Sequence, residues 1–389
     1  MTKSIYLDYA ATTPVEPSVL ADMIPFFSDN FGNPSSVHQI GQAAESALED
    51  SREVIANLMD CEVGDIIFTS CGTESDNLAI RGAAHAARHK RSGNHILISP
   101  VEHHAVLHTA QQLAELEGFE LEFLPVDEYG RVTVSDVARL IRDDTAIVSV
   151  VYANNEIGTV NPIADISRAC QKRGVPFHTD AVQAAAHIPI QFNKDGIDLL
   201  SIGAHKFYGP KGVGALIRRQ STPIIPTQTG GKQEGHMRAG TQNIPLIVGM
   251  ASALNLARGD MEARNETFVV LRDRLIDEVV HNIPGAHLTG HPTQRLPNHA
   301  SFVFEGVDGN HLLMMLDAAG FACSSGAACK VGDPQPSSIL LAIGLSPQLA
   351  LGSLRVTLGK HTTQQELDAF LNALPEAIHK SNWRRSNAG

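Results

Sequence analysis

The chain has 389 residues, 43% of them hydrophobic and 19% charged, so it has room for a large core and two domains. A net charge of −12 speaks against a broad surface for nucleic acid or another polyanion, and the longest uncharged apolar stretch, 244–257, is too short to span a bilayer. Five cysteines at irregular spacing form no disulfide framework or zinc-ribbon pattern, and residues 1–8 contain no signal-peptide apolar core, so a reducing cytoplasm is expected.

The chain opens on Ile5-Tyr-Leu-Asp8 and a turn-rich lead, Ala10-Ala-Thr-Thr-Pro14. A loop dense in Gly, Pro and Asn, residues 30–36, then leads into a helix over 38–59; Asn33 in it reads as a turn former or a substrate contact. From residue 65 the pattern is strand, turn, helix, repeated. Strands are expected at 66–69, 95–99, 120–124, 146–152, 175–180 and 197–202, and helices at 75–88, 104–117 and 163–173. This alternation predicts an α/β fold whose mainly parallel sheet carries helices on both faces, with ligands at the carboxyl ends of the strands. One continuous helix is expected over 244–280, followed by a strand at 300–304, a helix at 311–319, a strand at 351–358 and a helix at 363–379. The expected division is a large domain over 15–258 and a smaller α+β domain formed by 1–14 with 259–389.

Polar residues cluster at the expected strand ends. Gly72-Thr73 opens a helix, where free backbone N–H groups and a hydroxyl suit a phosphate. Glu102-His-His104, Asn154-Asn-Glu156, Asp180 and Gln183 follow the next strands. Lys206 stands between the apolar run 197–202 and a turn in which Gly209-Pro210 and Gly212 forbid helix. An amine so confined loses protonation readily, as a Schiff-base lysine requires; a loop lysine paired with a carboxylate is the competing reading. Gly209-Pro-Lys-Gly-Val-Gly214 has the wrong spacing for a dinucleotide loop, and Gly231-Lys232 lacks the Ser/Thr of a P-loop. No pair among His103, His104, His178 and Asp180 has the i, i+4 spacing of a helical metal site, so no metal is expected.

A phosphate cup, a flat ring, a carboxylate and an amine are what pyridoxal phosphate needs. The motifs Tyr6-Leu-Asp-Tyr-Ala-Ala-Thr-Thr-Pro14, Thr69-Ser-Cys-Gly-Thr-Glu-Ser-Asp-Asn77, Glu102-His103, Asn154-Asn-Glu-Ile-Gly158, His178-Thr-Asp-Ala-Val-Gln183, His205-Lys206, Arg238-Ala-Gly-Thr241, Ser324-Ser-Gly-Ala-Ala-Cys329 and Arg355 span nearly the whole chain. In this order they resemble the NifS/IscS cysteine desulfurases, of the class V aminotransferase group of fold-type I pyridoxal phosphate enzymes. The resemblance implies that Lys206 holds the cofactor as a Schiff base, His103 stacks on its ring, Asp180 pairs with the pyridine nitrogen and Gln183 bonds the ring hydroxyl. It implies that Gly72, Thr73 and His205 hold the phosphate, with Thr241 reaching that of the other subunit in a homodimer. Arg355, Asn155 and Asn33 are expected to bind the carboxylate of L-cysteine. Cys329 is expected to take the sulfur as a persulfide, releasing L-alanine, and to pass it to an iron–sulfur scaffold or sulfur-relay protein.

A selenocysteine lyase or an aminotransferase on the same scaffold is the alternative, and an aminotransferase has no use for Cys329. The chain departs from the group's usual pattern at Gly203, where a serine is common, at Cys71, where glycine is usual, and over residues 231–236. Cys71, Cys323, Cys61 and Cys170 are expected to pack rather than react.

Overall fold

Short apolar runs rich in Ile, Val and Leu build the centre of the molecule. A computed structural model of the chain describes residues 4–91, 93–325 and 335–382. After β1 (Ile5–Tyr6) come β2 (Ile66–Thr69), β3 (His95–Ile98), β4 (Glu120–Phe123), β5 (Thr145–Ser149), β6 (Phe177–Asp180), β7 (Leu199–Gly203) and β8 (Gly214–Arg218). The last seven form one sheet in the order β2-β8-β7-β6-β5-β3-β4. Neighbours from β4 to β7 are parallel. β8 runs antiparallel to both β7 and β2.

Every residue of β2, β3, β5, β6 and β7 is buried, which is why most of these strands read as apolar runs rather than alternating ones, while β6, Phe177-His-Thr-Asp180, is buried and largely polar. The period of two survives in what each side chain meets. Ile67, Ile96, Ile98, Ile147, Leu199 and Leu216 pack on the helices Gly72–Arg91 and His104–Glu117 through Leu78, Ile80, Val106 and Leu113. Phe68, Leu97, Val148, Phe177, Leu200 and Ile217 face the opposite core with Ile55, Met59, Ile166 and Leu254.

A second, antiparallel sheet has the order β12-β10-β9, from β9 (Ala286–Leu288), β10 (His299–Phe304) and β12 (Ser353–Thr357), while β11 (Phe321–Ala322) pairs in parallel with β1. Its core joins Phe268, Leu275, Phe302, Leu354 and Phe370, and Leu7 from the start of the chain enters it. The single helix expected over 244–280 is instead two, Ile244–Gly259 and Met261–Asn282, broken at Asp260 (φ −105°, ψ 6°). Glycine and aspartate are weak helix formers, and at consecutive positions they end a segment that apolar periodicity alone would carry through.

The glycine-rich loop carrying Thr241 is pinned to the sheet by one buried ion pair. Arg52, on the helix Gln39–Met59, donates from Nη1 to Glu234 Oε2 at 3.0 Å and from Nη2 to Oε1 at 3.2 Å. The same guanidinium donates to the Ile66 carbonyl, and Glu234 accepts the Phe68 N–H at 2.9 Å. Removing one partner strands a buried charge. Arg52→Ala should therefore cost roughly 3–5 kcal/mol in denaturant unfolding; a loss under about 1 kcal/mol, as for a surface pair, would show that the pair does not anchor the loop.

Candidate active site

The site assembles where the parallel strands end. After β2 the chain turns at Cys71 into the helix that begins at Gly72. Glycine is required there because a Cβ would sit 2.6 Å from Val182 Cγ2. The first N–H groups of that helix have no carbonyl one turn back, and Gly72 and Thr73 line the cavity, so this end suits a phosphate. Gly203, at the end of β7, has its would-be Cβ 3.5 Å from the Gly72 nitrogen, so a side chain has room at that position.

After β3, His103 caps the helix His104–Glu117, its Nδ1 accepting the Ala105 N–H at 3.2 Å, and its ring remains exposed. After β5, Asn154 locks the turn: its Nδ2 donates to the Val101 carbonyl, and its Oδ1 accepts from the N–H groups of Glu156 and Ile157. The locked turn leaves Asn155 lining the cavity. Asp180, the last residue of β6, is buried, and its Oδ1 accepts the Val182 N–H at 2.9 Å. Burial raises the Asp180 pKa, against the lowering effects of His103, that same N–H and Lys206.

Lys206 follows β7 on a single 3-10 turn, Ala204–Lys206. Tyr208, two residues on, adopts φ +65°, a left-handed conformation that a bulky side chain rarely takes. It is held there by its N–H to Thr13 Oγ1 at 2.7 Å and by its hydroxyl, which accepts the Lys360 N–H at 2.6 Å. The chain start roofs the turn: Lys206 Nζ donates to the carbonyls of Ala10 and Ala11, and Gln183 Nε2 also donates to Ala10. Thr13 bonds the His205 carbonyl through both N–H and hydroxyl. Burial, and then the Arg355 charge, lower the Lys206 pKa to about 8, while burial brings His205 down to about 4.

One cavity of about 260 Å³ is lined by Gly72, Thr73, His103, Asn155, Asp180, Gln183, His205 and Lys206 together. Cys71 lines it too, and so does Asp76, a buried carboxyl to which the sequence reading assigned no role. The signal for Asp76 was present: an ionisable residue in the apolar stripe formed with Ala79, Ile80 and Ala83. Arg355, on β12, stands beside the cavity, donating to the Asn155 carbonyl at 3.0 Å and to Asp8 Oδ1 at 2.7 Å; its Nε has no hydrogen-bond partner among the described residues. Asn33 closes its own turn, Oδ1 accepting the Ser35 N–H, and it does not line the cavity. Thr241 is exposed and also outside the lining. Cys329 lies outside the described residues. Cys61, Cys71, Cys170 and Cys323 are free thiols, and burial raises the pKa of Cys61, Cys170 and Cys323.

This arrangement suits a flat, phosphorylated carbonyl compound: one cavity holds a helix N-terminus, a buried carboxylate and a desolvated amine. The class V aminotransferase family matches residues 5–370, and the chain belongs to it. Within that family it is of the NifS/IscS type. It is 47% identical over 378 residues to the cysteine desulfurase IscS of Methanosarcina thermophila, covering 97% of this chain and 93% of the relative. Among solved structures it is similar to a NifS-like protein (TM-score 0.90, 36% identity, 97% of this chain and 100% of that one). It is also similar to SspA in complex with cysteine (TM-score 0.79, 34% identity, 92% and 99%).

A Lys206 pKa lowered to about 8 means that its neutral, nucleophilic form prevails above that pH and is lost below it. Reductive methylation of the cofactor-free protein, followed lysine by lysine with mass spectrometry, should give Lys206 a rate midpoint near pH 8. Exposed lysines should still be rising toward about pH 10.4. A Lys206 profile matching theirs would refute the desolvated amine.

Proposed function

We propose that this protein is a pyridoxal-phosphate-dependent cysteine desulfurase that converts L-cysteine to L-alanine and takes the sulfur onto Cys329. The observation that carries the reading is the convergence on one cavity of Lys206, Asp180, His103, Gln183, Gly72, Thr73 and His205, seven residues with complementary tasks toward one cofactor. Near-full-length relatives named as cysteine desulfurases support it.

Lys206 would anchor the cofactor, Asp180 would pair with its ring nitrogen, His103 would cover its ring and Gln183 would bond its ring hydroxyl. Gly72, Thr73 and His205 would hold the phosphate, with Thr241 supplied by the other subunit of a homodimer. The bound cofactor supplies an electron-poor ring that stabilises negative charge at the substrate α-carbon. Asp180 keeps that ring electron-poor by favouring the protonated nitrogen. Arg355 and Asn155 would grip the substrate carboxylate, with Asn33 as the further contact. Lys206, its pKa lowered by burial, would act as the base that moves the proton at the substrate α-carbon. Cys329 thiolate attacks the substrate sulfur; the Cβ–S bond breaks as an S–S bond forms, leaving alanine and a Cys329 persulfide.

An iron–sulfur scaffold or sulfur-relay protein would then accept the sulfur. The separate cores of the two sheets support a large domain over 15–258 and a smaller one from 1–14 with 259–389. The site of action proposed is the cytoplasm; among the described residues no helix is long and apolar enough to cross a membrane.

Alanine formation and persulfide mapping test the reading together. Cys329→Ala should keep the cofactor and lose nearly all alanine formation and the persulfide at this position. Cys71→Ala and Cys323→Ala should keep most of the activity. Near-normal turnover in Cys329→Ala, or a persulfide on Cys71, would overturn the assignment.

A further inference from the structure

Asp180 does not stand alone on the cavity floor. Asp76, on the helix Gly72–Arg91, is 1% exposed and lines the same cavity. An oxygen of Asp76, an oxygen of Asp180 and a ring nitrogen of His103 lie within 4.8 Å of one another. Asp76 Oδ1 has no hydrogen-bond partner among the described residues. It lies 3.5 Å from His178 Nε2, but that nitrogen is already engaged by Ser201 Oγ at 3.0 Å, and Nδ1 by Ser149 Oγ at 2.9 Å. Both serines can serve the neutral imidazole, and burial pushes His178 down to about 3, so it supplies no positive charge.

The groups that raise the cost of ionising Asp76 are Asp180 from β6, Glu102 from the turn after β3 and Cys71 from the turn before its own helix, and besides the neutral His178 the His103 ring is a basic group within 4.8 Å of it. Only the Ser201 hydroxyl offers its charged form a hydrogen bond. Asp180 has two basic groups, His103 and Lys206, both favouring its charged form. Two buried carboxyls this close cannot both be ionised, and the one with cationic neighbours takes the charge.

We propose that Asp76 is a positioning residue that keeps one proton on the cavity floor, so that Asp180 alone carries negative charge there. The consequence rests on the desulfurase reading: a single, undivided carboxylate is left to pair with the cofactor's ring nitrogen. Burial, and next the Asp180 charge, raise the Asp76 pKa well above the carboxylate range, in keeping with that state.

The test is infrared spectroscopy of protein labelled with carboxyl-13C aspartate, with and without pyridoxal phosphate. The wild type should show a protonated-carboxyl band at neutral pH that is absent in Asp76→Asn. In Asp180→Asn the band should remain, but it should disappear on raising the pH earlier than in the wild type, because the neighbouring charge is gone. In the loaded enzyme, Asp76→Asn should keep the visible pH titration of the bound cofactor, as an isosteric neutral exchange. Asp180→Asn should displace that titration and lose about a hundredfold or more in kcat/KM. No labelled band in the wild type, an unchanged band in Asp76→Asn, or a cofactor titration displaced as far in Asp76→Asn as in Asp180→Asn would overturn the proposal. Failure of the desulfurase reading would look different, because the band comparison in cofactor-free protein stands without any activity.

Discussion

The constraint on which the site depends is the capture of Lys206 between the end of β7 and the first residues of the chain. Its amine donates to two backbone carbonyls, Ala10 and Ala11, nearly two hundred residues away in sequence. A lysine free to reach solvent would keep its proton at neutral pH. Under the roof, burial and the Arg355 charge bring the Lys206 pKa down to about 8, and Thr13 and Gln183 secure the roof through the His205 carbonyl and the Ala10 carbonyl. The strand that carries Arg355 is tied to the same segment by the Arg355–Asp8 pair and by the Thr357 N–H, which donates to Leu7. The chain start thus couples the amine to the residue proposed to hold substrate.

The second organising fact is how the cavity distributes charge. Its floor holds Asp76 and Asp180, with Glu102 nearby, all buried. Of its cations, Lys206 is held by the carbonyls of Ala10 and Ala11, and Arg355, on the second sheet, is already shared with Asp8. Of two buried carboxyls this close, the one with cationic neighbours, Asp180, takes the charge. The proposed cofactor would bring a cationic ring nitrogen to that carboxylate and a phosphate to the N-terminus of the helix that begins at Gly72.

Much of the large sheet was legible because fully buried strands followed by turns and amphipathic helices leave a plain pattern. The residues at their carboxyl ends, from Gly72 through His205, were legible for the same reason. Other features left little trace. β8 is five residues after a glycine-rich turn, and nothing in Gly214-Ala-Leu-Ile-Arg218 encodes that it runs against its neighbours. The break at Asp260 interrupts a segment whose apolar periodicity continues on both sides. The roof over Lys206 acts through backbone carbonyls, which any residue supplies, so Ala10 and Ala11 carried no chemical signal. Asn33 was ambiguous from sequence, and the Asx turn it makes accounts for the residue type without any ligand.

Lys206 as the anchoring amine is the claim on which the chemistry turns, and one measurement addresses it directly. The protein loaded with pyridoxal phosphate is reduced with borohydride, digested and mapped by mass spectrometry. The pyridoxyl group should be found on Lys206 alone, since among the described lysines only this one lines the cavity. A pyridoxyl group on Lys211 or Lys232, with Lys206 unmodified, would contradict the site as described.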